Sequence, residues 1–170
     1  METSHEKFWK GDFGDKYTDR NRCGKSMIAC RVGNLAKCLS RADYLNSSLE
    51  FGSNIGYNEI ALRQLYPDIE MDVVEINEKA AEECGKIENV KVHNTSVYDF
   101  KREKQYDLTL VNVTYRGYDG QLCKRDFAGE MLDKYPDLRL LDYGFIYHRD
   151  GVFPMDDFNW FLLEKNKLSF

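Results

Sequence analysis

The chain reads Leu49-Glu50-Phe51-Gly52-Ser53-Asn54-Ile55-Gly56-Tyr57-Asn58 where a short apolar run gives way to a helical pattern. Glycines at 52 and 56 let the backbone turn sharply and let a ligand approach it closely. A nicotinamide-type fingerprint would have glycines at 52, 54 and 57, but Asn54 and Tyr57 stand at the last two of those positions. The spacing therefore argues against a dinucleotide and leaves two alternatives, a tight strand-to-helix turn and a loop for a different ligand.

Two acidic residues flank this loop in the sequence. Glu50 stands just before the first glycine, and Glu75 ends the next apolar run, 19 residues beyond Gly56. A carboxylate in the position of Glu75 suits a ribose with free hydroxyls, because it can accept two hydrogen bonds. A carboxylate in the position of Glu50 would repel a diphosphate but would suit ammonium and sulfonium charges. The two acids therefore predict S-adenosylmethionine as the ligand, with solvated surface charges as the alternative.

Short apolar runs alternate with helical patterns from residue 48 onward. Between the first two runs we predict a helix from Tyr57 that ends before Pro67, and Asn77 is the predicted N-cap of a second helix. The predicted strands are 49–51, 73–76, 90–92 and 108–113. Strands that alternate with helices need right-handed crossovers. The predicted fold class is therefore α/β, a Rossmann-like three-layer fold with a mostly parallel sheet.

The two ends of the chain have patterns of their own. Residues 1–24 form an aromatic and polar lead-in, and helical spacing follows over 28–39. Near the other end Asp126 can cap a helix that stops at Pro136, and the long runs 138–148 and 158–164 predict an antiparallel hairpin that closes one edge of the sheet. We expect a single domain over 1–170, with an N-terminal helical lid or cap over 1–45 and a Rossmann-like core over 46–170.

Composition limits the partners of the protein. Among the 170 residues, 29 Asp and Glu outnumber 24 Lys and Arg, for a formal net charge of −5. This balance disfavours nucleic acid, whose phosphates need a basic face. No run approaches the roughly 20 apolar residues of a membrane span, and the start of the chain lacks the apolar core of a secretion signal. The five cysteines form no C-x-x-C pair. We expect a cytoplasmic protein that binds a small molecule, with no metal site and no membrane contact.

The motifs of the chain resemble those of class I S-adenosylmethionine-dependent methyltransferases. The E-x-G-x-N-x-G form of residues 50–56, followed by Val74-Glu75-Ile76-Asn77, carries this likeness. More narrowly, the chain is similar to methylases associated with pseudaminic acid biosynthesis. The segments that match those methylases are spread over most of the chain and include the two cofactor motifs. The others are Phe8-Trp9-x-Gly11-x-Phe13-Gly14-x-x-Tyr17-x-x-Arg20-Asn21, Lys124-Arg125-Asp126-Phe127-Ala128-Gly129-Glu130, Tyr135-Pro136-Asp137-Leu138, Asp142-Tyr143-Gly144-Phe145 and Tyr147-His148-Arg149-Asp150.

The resemblance implies a place for the cofactor on this chain. Glu50 would face its ammonium end, Glu75 would hold the ribose hydroxyls, and Ile76 would pack on the adenine. The other implied positions are the residues that line the methionine and ribose (Gly52, Asn54, Gly56), those at the adenine edge (Ser96, Val97), and the lid or carboxylate-clamp candidates (Tyr17, Arg20). Ser96 stands where an acid is often found in that family.

The chain departs from the resembling methylases after the fourth predicted strand. In them a helix, a fifth strand and a loop precede a Tyr-Arg-Gly segment, whereas here Val113 runs almost directly into Thr114-Tyr115-Arg116-Gly117. The loss leaves either a gap that the C-terminal hairpin closes or an exposed edge that is open to a second copy, as in a homodimer. The cofactor motifs are unaffected, but the floor of the acceptor pocket usually comes from this region.

The predicted function is methyl transfer from S-adenosylmethionine to a small acceptor, and the resemblance suggests an acidic, sialic-acid-like sugar or its nucleotide conjugate. His148 is the leading candidate for a general base, because histidine titrates near neutral pH. A hydrogen-bonded structural histidine is the alternative there, and Asp126 is either a helix cap or an acceptor contact. The rival hypothesis is a catalytically impaired S-adenosylmethionine-binding module that dimerises to complete its sheet. Asn54 and Tyr57 disfavour a third hypothesis, a nicotinamide-dependent reductase.

Overall fold

The computed structural model of the chain describes residues 2–22, 24–111, 126–147 and 158–165. These residues fall into two compact units. The first unit lies within Met1–Leu35 and Asp43–Asn112, and the second within Ala36–Ala42 and Val113–Phe170. The expectation of a single domain with a 1–45 lid stays a prediction.

A parallel sheet of four strands forms the centre of the first unit. Its strands are β1 (Ser47–Phe51), β2 (Glu70–Val74), β3 (Val90–His93) and β4 (Leu108–Val111), in the order β3-β2-β1-β4. All three strand pairs are parallel, and Phe51 lies opposite Val74 on one side and Val111 on the other. The carboxyl ends of β1, β2 and β4 therefore meet at one edge, as the α/β interpretation predicted. The fold class is confirmed.

The second strand begins earlier and ends earlier than its predicted span of 73–76. It starts at Glu70 and stops at Val74, so Glu75 follows the strand. Asp72 interrupts the apolar pattern, although it is buried within the strand. Its carboxylate lies 2.9 Å from His93 Nε2 and 3.3 Å from Lys104 Nζ. These partners explain how the sheet accommodates a charge that the sequence pattern treats as a break.

Helices precede the sheet and connect its strands. Their bounds are α1 (Ser4–Lys10), α2 (Asp12–Arg20), α3 (Lys25–Cys38), α4 (Tyr57–Leu65) and α5 (Glu78–Cys84). The aromatic lead-in thus forms two helices, and α1 begins with a capping box in which Thr3 and Glu6 bond each other's backbone N–H. Asn77 caps α5 as predicted, because its Oδ1 accepts a hydrogen bond from Ala80 N at 2.9 Å.

The apolar core of the first unit lies where α4 and α5 connect the strands. The side chains with 1% exposure or less include Ala61, Leu62, Ile69, Met71, Val73, Val74, Ala80 and Cys84. Leu62 belongs to the apolar face of α4, and Val73 and Val74 end β2. Burial of this surface stabilises the strand ends from which the candidate site is built.

The second unit contains a helix and an antiparallel hairpin. Its elements are α6 (Phe127–Lys134), β5 (Leu138–Ile146) and β6 (Phe158–Lys165). Asp126 is the N-cap of α6, and its side chain accepts a hydrogen bond from Gly129 N at 2.9 Å. Arg41 donates to the Leu141 carbonyl at 2.9 Å, which ties the short segment 36–42 to β5. The predicted hairpin and helix are confirmed.

The predicted edge pairing of that hairpin is wrong. β5 and β6 pair with each other in a separate two-stranded sheet, and the four-stranded sheet contains only β1 to β4 among the described residues. A register shift lies between Leu140 and Asp142. Antiparallel strands of nine and eight residues satisfy each other's backbone groups over most of their length. They therefore form without a partner from the parallel sheet.

Two further observations concern the described residues alone. None of their helices has the length and apolar character that a membrane span requires. They also contain no group of three or more His, Cys, Asp or Glu side chains arranged to hold a metal ion.

Replacement of Leu62 tests the core beneath the candidate site. The side chain is fully buried, so Leu62→Ala removes apolar contacts and leaves a cavity. We expect the free energy of unfolding to fall by about 2–5 kcal/mol in urea titrations. The matched control is Gln64→Ala, on the exposed face of the same helix, with an expected change within about 0.5 kcal/mol. Equal effects of the two substitutions would contradict the assigned core.

Candidate functional site

The loop between β1 and α4 is shaped by three residues in the left-handed region. Gly52, Asn54 and Gly56 have φ angles of 77°, 51° and 81°. Gly52 N donates to the Val74 carbonyl at 2.8 Å, which continues the pairing of β1 with β2 into the loop. A Cβ added at Gly52 would meet no atom within 4 Å, whereas one added at Gly56 would clash with Ile87 Cδ1. Gly56 is thus required for packing, and Gly52 leaves open space above the loop.

Glu75 joins this loop to the end of β2. Its Oε2 accepts a hydrogen bond from Asn54 N, and its Oε1 accepts one from Asn77 N, both at 2.8 Å. Burial raises the pKa of this carboxyl above its ordinary value, while the backbone N–H donors of Asn77, Asn54 and Ile76 oppose that shift. Each carboxylate oxygen keeps a further lone pair for a ligand hydroxyl.

Asn54 carries a second polar group at the same place. Its side-chain Oδ1 is buried and accepts no hydrogen bond from any described residue. A buried acceptor without a donor costs about 1–3 kcal/mol. A ligand that brings a hydrogen-bond donor to this loop would remove that cost.

Glu50 lies beneath the loop in a cluster of polar side chains. It is 2% exposed, and its Oε1 accepts a hydrogen bond from Asn58 Nδ2 at 2.7 Å. Glu59 is 1% exposed, and both Glu59 and Arg31 lie close enough to Glu50 to act on its charge. Burial raises the pKa of both carboxyls, and the neighbouring charge of Glu50 raises that of Glu59 further. The assignment of Glu50 to an ammonium group stays a prediction.

Two of the residues predicted to contact the adenine, Ile76 and Ser96, border a surface depression of about 420 Å³. Ile76 and Ser96 line it from the strand ends, and Thr3 and Glu6 line it from the start of α1. Hydrogen bonds from Ser96 and Thr3 lower the pKa of the Glu6 carboxyl to about 2. Val97 is 51% exposed and is not among the lining residues. An apolar side chain beside polar ones suits a flat base with hydrogen-bonding edges.

Tyr17 and Arg20, the lid candidates, lie on α2 in an aromatic cluster. The Tyr17 ring stacks on Phe13 at 6.3 Å and meets Trp9 edge-on at 5.3 Å, and the Arg20 guanidinium lies 5.6 Å from the centre of the Tyr17 ring. Asn77 Nδ2 donates to Asp15 Oδ1 at 2.8 Å. The residue that caps α5 therefore also anchors α2 at the end of β2. The lid and clamp roles stay predictions.

The two catalytic candidates belong to the other end of the chain. Asp126 is exposed and caps α6 through its contact with Gly129 N. This contact makes Asp126 a helix cap. Its role as a contact for the acceptor stays a prediction. His148 lies outside the described residues.

Sequence reasoning missed several residues of the site. Glu59, Asn58 and Arg31 form the polar cluster with Glu50, and Glu6 lines the depression. The signal for Glu59 was available, because it stands three residues before the buried Leu62 and thus on the apolar face of α4. A charged residue on a buried helical face calls for a partner.

Comparison with known proteins identifies the fold. No protein-family model matches the sequence, and no curated protein matches it. The solved structure of the plantazolicin methyltransferase BpumL, in complex with a pentazolic desmethylPZN analog and SAH, is 15% identical over 69% of this chain and 48% of its own, with a TM-score of 0.50. StiE O-MT, residues 942–1257, is 14% identical over 75% of this chain and 58% of its own, with a TM-score of 0.53.

This chain has the fold of these methyltransferases. It spans about half the length of each, 48% of one and 58% of the other. The described residues include the Rossmann-like sheet, the glycine-bearing loop after β1 and the acid Glu75 after β2.

The two loop glycines provide a matched test of the loop geometry. Gly56→Ala combines a left-handed backbone with a clash against Ile87 Cδ1 and a contact of 2.8 Å to Cys84 Sγ. We expect it to lower the free energy of unfolding by about 2–4 kcal/mol, from backbone strain and overpacking together. Gly52→Ala is the control, since it has backbone strain alone, and its expected loss is about 1–2 kcal/mol in the same urea titration. A larger loss at Gly52 than at Gly56 would contradict this assignment.

Proposed function

We propose that the protein binds S-adenosylmethionine and transfers its methyl group to a small acceptor. The observation that carries the proposal is the carboxylate of Glu75, which is fixed opposite the loop by Asn54 N and Asn77 N at 2.8 Å each. A carboxylate held in this way keeps acceptor positions directed away from its backbone donors. Two adjacent ribose hydroxyls are the donors that such an acceptor suits.

The surrounding groups fit the rest of an adenosyl ligand. The open space above Gly52 leaves room for the ligand backbone, and Asn54 Oδ1 offers an acceptor without a donor. Ile76 and Ser96 border the depression in which the base would lie. Tyr17 and Arg20 on α2 are the proposed lid, because the Asn77 to Asp15 hydrogen bond holds that helix at the end of β2.

The chain's part in the reaction is to bind, orient and exclude water. When bound, S-adenosylmethionine supplies an electrophilic methyl group on a sulfonium centre. The acceptor attacks that carbon in line with the departing sulfur, so catalysis depends mostly on positioning. An oxygen acceptor also has to lose a proton, and we assign that role to His148, with Asp126 as the residue that contacts the acceptor.

The acceptor class follows from the resemblance to methylases associated with pseudaminic acid biosynthesis. We propose an acidic, sialic-acid-like sugar or its nucleotide conjugate. The quoted strings around Asp126 and His148 support this choice, because they are the most specific part of that resemblance.

A second candidate function is an S-adenosylmethionine-binding module without turnover that completes its sheet with a second copy. The observation in its favour is the position of β4, which has a strand neighbour on one side only within the described sheet. Val111 at the end of that strand is 52% exposed. An open strand edge of this kind is a pairing site for another chain.

Titration calorimetry with S-adenosylmethionine, S-adenosylhomocysteine and NADH tests the proposal. We expect the two adenosyl compounds to bind and NADH not to bind. Glu75→Gln should weaken S-adenosylhomocysteine about 10- to 150-fold, because hydrogen bonds to a charged group contribute about 1.5–3 kcal/mol. Glu70→Gln on the exposed start of β2 is the control and should leave the affinity unchanged. Binding of NADH alone, or equal affinity of the Glu75 variant, would contradict the assignment.

Methyl consumption separates the two candidate functions. Transfer to a member of a panel of acidic sugars and nucleotide sugars, followed by mass spectrometry, supports the enzyme. Tight S-adenosylhomocysteine binding without transfer, together with a dimer mass in light scattering, supports the module instead.

A further inference from the structure

Two buried carboxyl side chains face each other beneath the glycine loop. Glu50 of β1 and Glu59 of α4 are 2% and 1% exposed and lie close enough for each to act on the pKa of the other. Oε2 of each accepts no hydrogen bond from a donor of the described residues. Two carboxylates in contact have no donor between them, whereas one proton on the pair supplies it. One proton on the pair would therefore supply the missing donor when no ligand is bound.

The groups around this pair leave one charge to be compensated by a ligand. Arg31 of α3 is the cation that faces both carboxyls, and its Nε is buried without an acceptor. Glu75 after β2 adds a like charge. Cys84 of α5 also faces the pair, and burial and the charge of Glu59 raise the pKa of its thiol to about 12, so it stays neutral. With the proton in place, the pair carries one negative charge, which Arg31 balances, and the charge of Glu75 is additional.

We propose that Glu59 is a positioning residue that acts through Glu50: the pair holds one proton in the free protein, and a ligand ammonium group bound over the loop displaces it. The inference rests on the proposed function, since S-adenosylmethionine is the ligand that brings the ammonium group. On binding, the O–H bond of the pair breaks, the proton goes to solvent, and both carboxylates remain. The ammonium group and Arg31 then balance the two negative charges of the pair.

This arrangement explains why an acid in the position of Glu50 is tolerated in the core without a paired cation of its own. Two ionised carboxylates at that depth, with Arg31 as their one cation, would be strongly disfavoured. The proton on the pair removes the second charge until a cation arrives. The ligand class is therefore an amino acid or its nucleoside conjugate with a free ammonium group, and a nucleoside that lacks this group would leave the proton in place.

Calorimetry in buffers with different ionisation enthalpies measures the proton directly. Between about pH 5 and pH 8, we expect S-adenosylhomocysteine to release up to about one proton per site, with affinity rising by as much as about tenfold per pH unit. 5′-Methylthioadenosine keeps the nucleoside but lacks the ammonium group, and it should bind without proton release. Binding of S-adenosylhomocysteine without proton release would overturn the proposal.

The variant Glu59→Gln places an amide donor beside Glu50 and removes the titrating pair. We expect it to bind S-adenosylhomocysteine without proton release and with a flat pH profile. Glu78→Gln, at the exposed start of α5, is the matched control and should release the proton as the parent protein does. A release of equal size from the Glu59 variant would overturn the role of Glu59.

The pH dependence of stability tests the pair without any ligand. The pKa of Glu59 is raised in the folded state above its ordinary value of 4.5, so the folded state binds the proton more tightly than the unfolded chain does. The full contribution of this group to the free energy of unfolding is present below about pH 4.5. That contribution is lost as the pH rises through the raised pKa. As the pH rises above about 4.5, we expect the free energy of unfolding of the parent protein to fall, and that of Glu59→Gln to fall by less. If S-adenosylhomocysteine does not bind, the proposed function is wrong. If the stability of the parent protein depends on pH as little as that of Glu59→Gln, the proposed proton on the pair is wrong.

Discussion

The hydrogen bonds that Glu75 accepts from Asn54 N and Asn77 N are the constraint on which the candidate site depends. They fix the loop after β1 against the turn that starts α5, so two segments that follow different strands hold one geometry. Asn77 extends this connection to the N-terminal helices through Asp15. One carboxylate therefore positions the loop and the helix start, and the same residue is the proposed ribose acceptor.

The unfavourable part of this site is the pair of carboxyl groups of Glu50 and Glu59, which are buried together beneath the loop. Burial of two acids is unfavourable unless charge is removed or compensated, and Arg31 compensates only one. Gly56 lies next to this cluster, and only a residue without a side chain leaves room there for Ile87 and Cys84. The site is thus a loop of three left-handed residues above a polar cluster, and we propose that the charge of this cluster changes when a ligand binds.

Most of the parallel sheet could be predicted from the sequence, since its strands are short apolar runs between helical patterns. The caps Asn77 and Asp126 were predictable for a local reason, because a capping side chain bonds a backbone N–H a few residues away. The burial of Asp72 and Glu59 was not predictable, because the groups that contact these two acids come from distant parts of the sequence. The hairpin itself was predicted, but its pairing with an edge of the parallel sheet was wrong, since the pattern of a strand does not show which strand lies beside it.

The sequence by itself determined the order of strands and helices, the glycine spacing and the position of an acid after β2, because these depend on neighbours along the chain. The tertiary structure alone decided that Glu75 bonds the loop, that Glu59 meets Glu50 beneath it, and that Glu6 reaches Ser96. Such contacts join residues from different elements, and their energies depend on burial and distance, which a one-dimensional pattern does not contain.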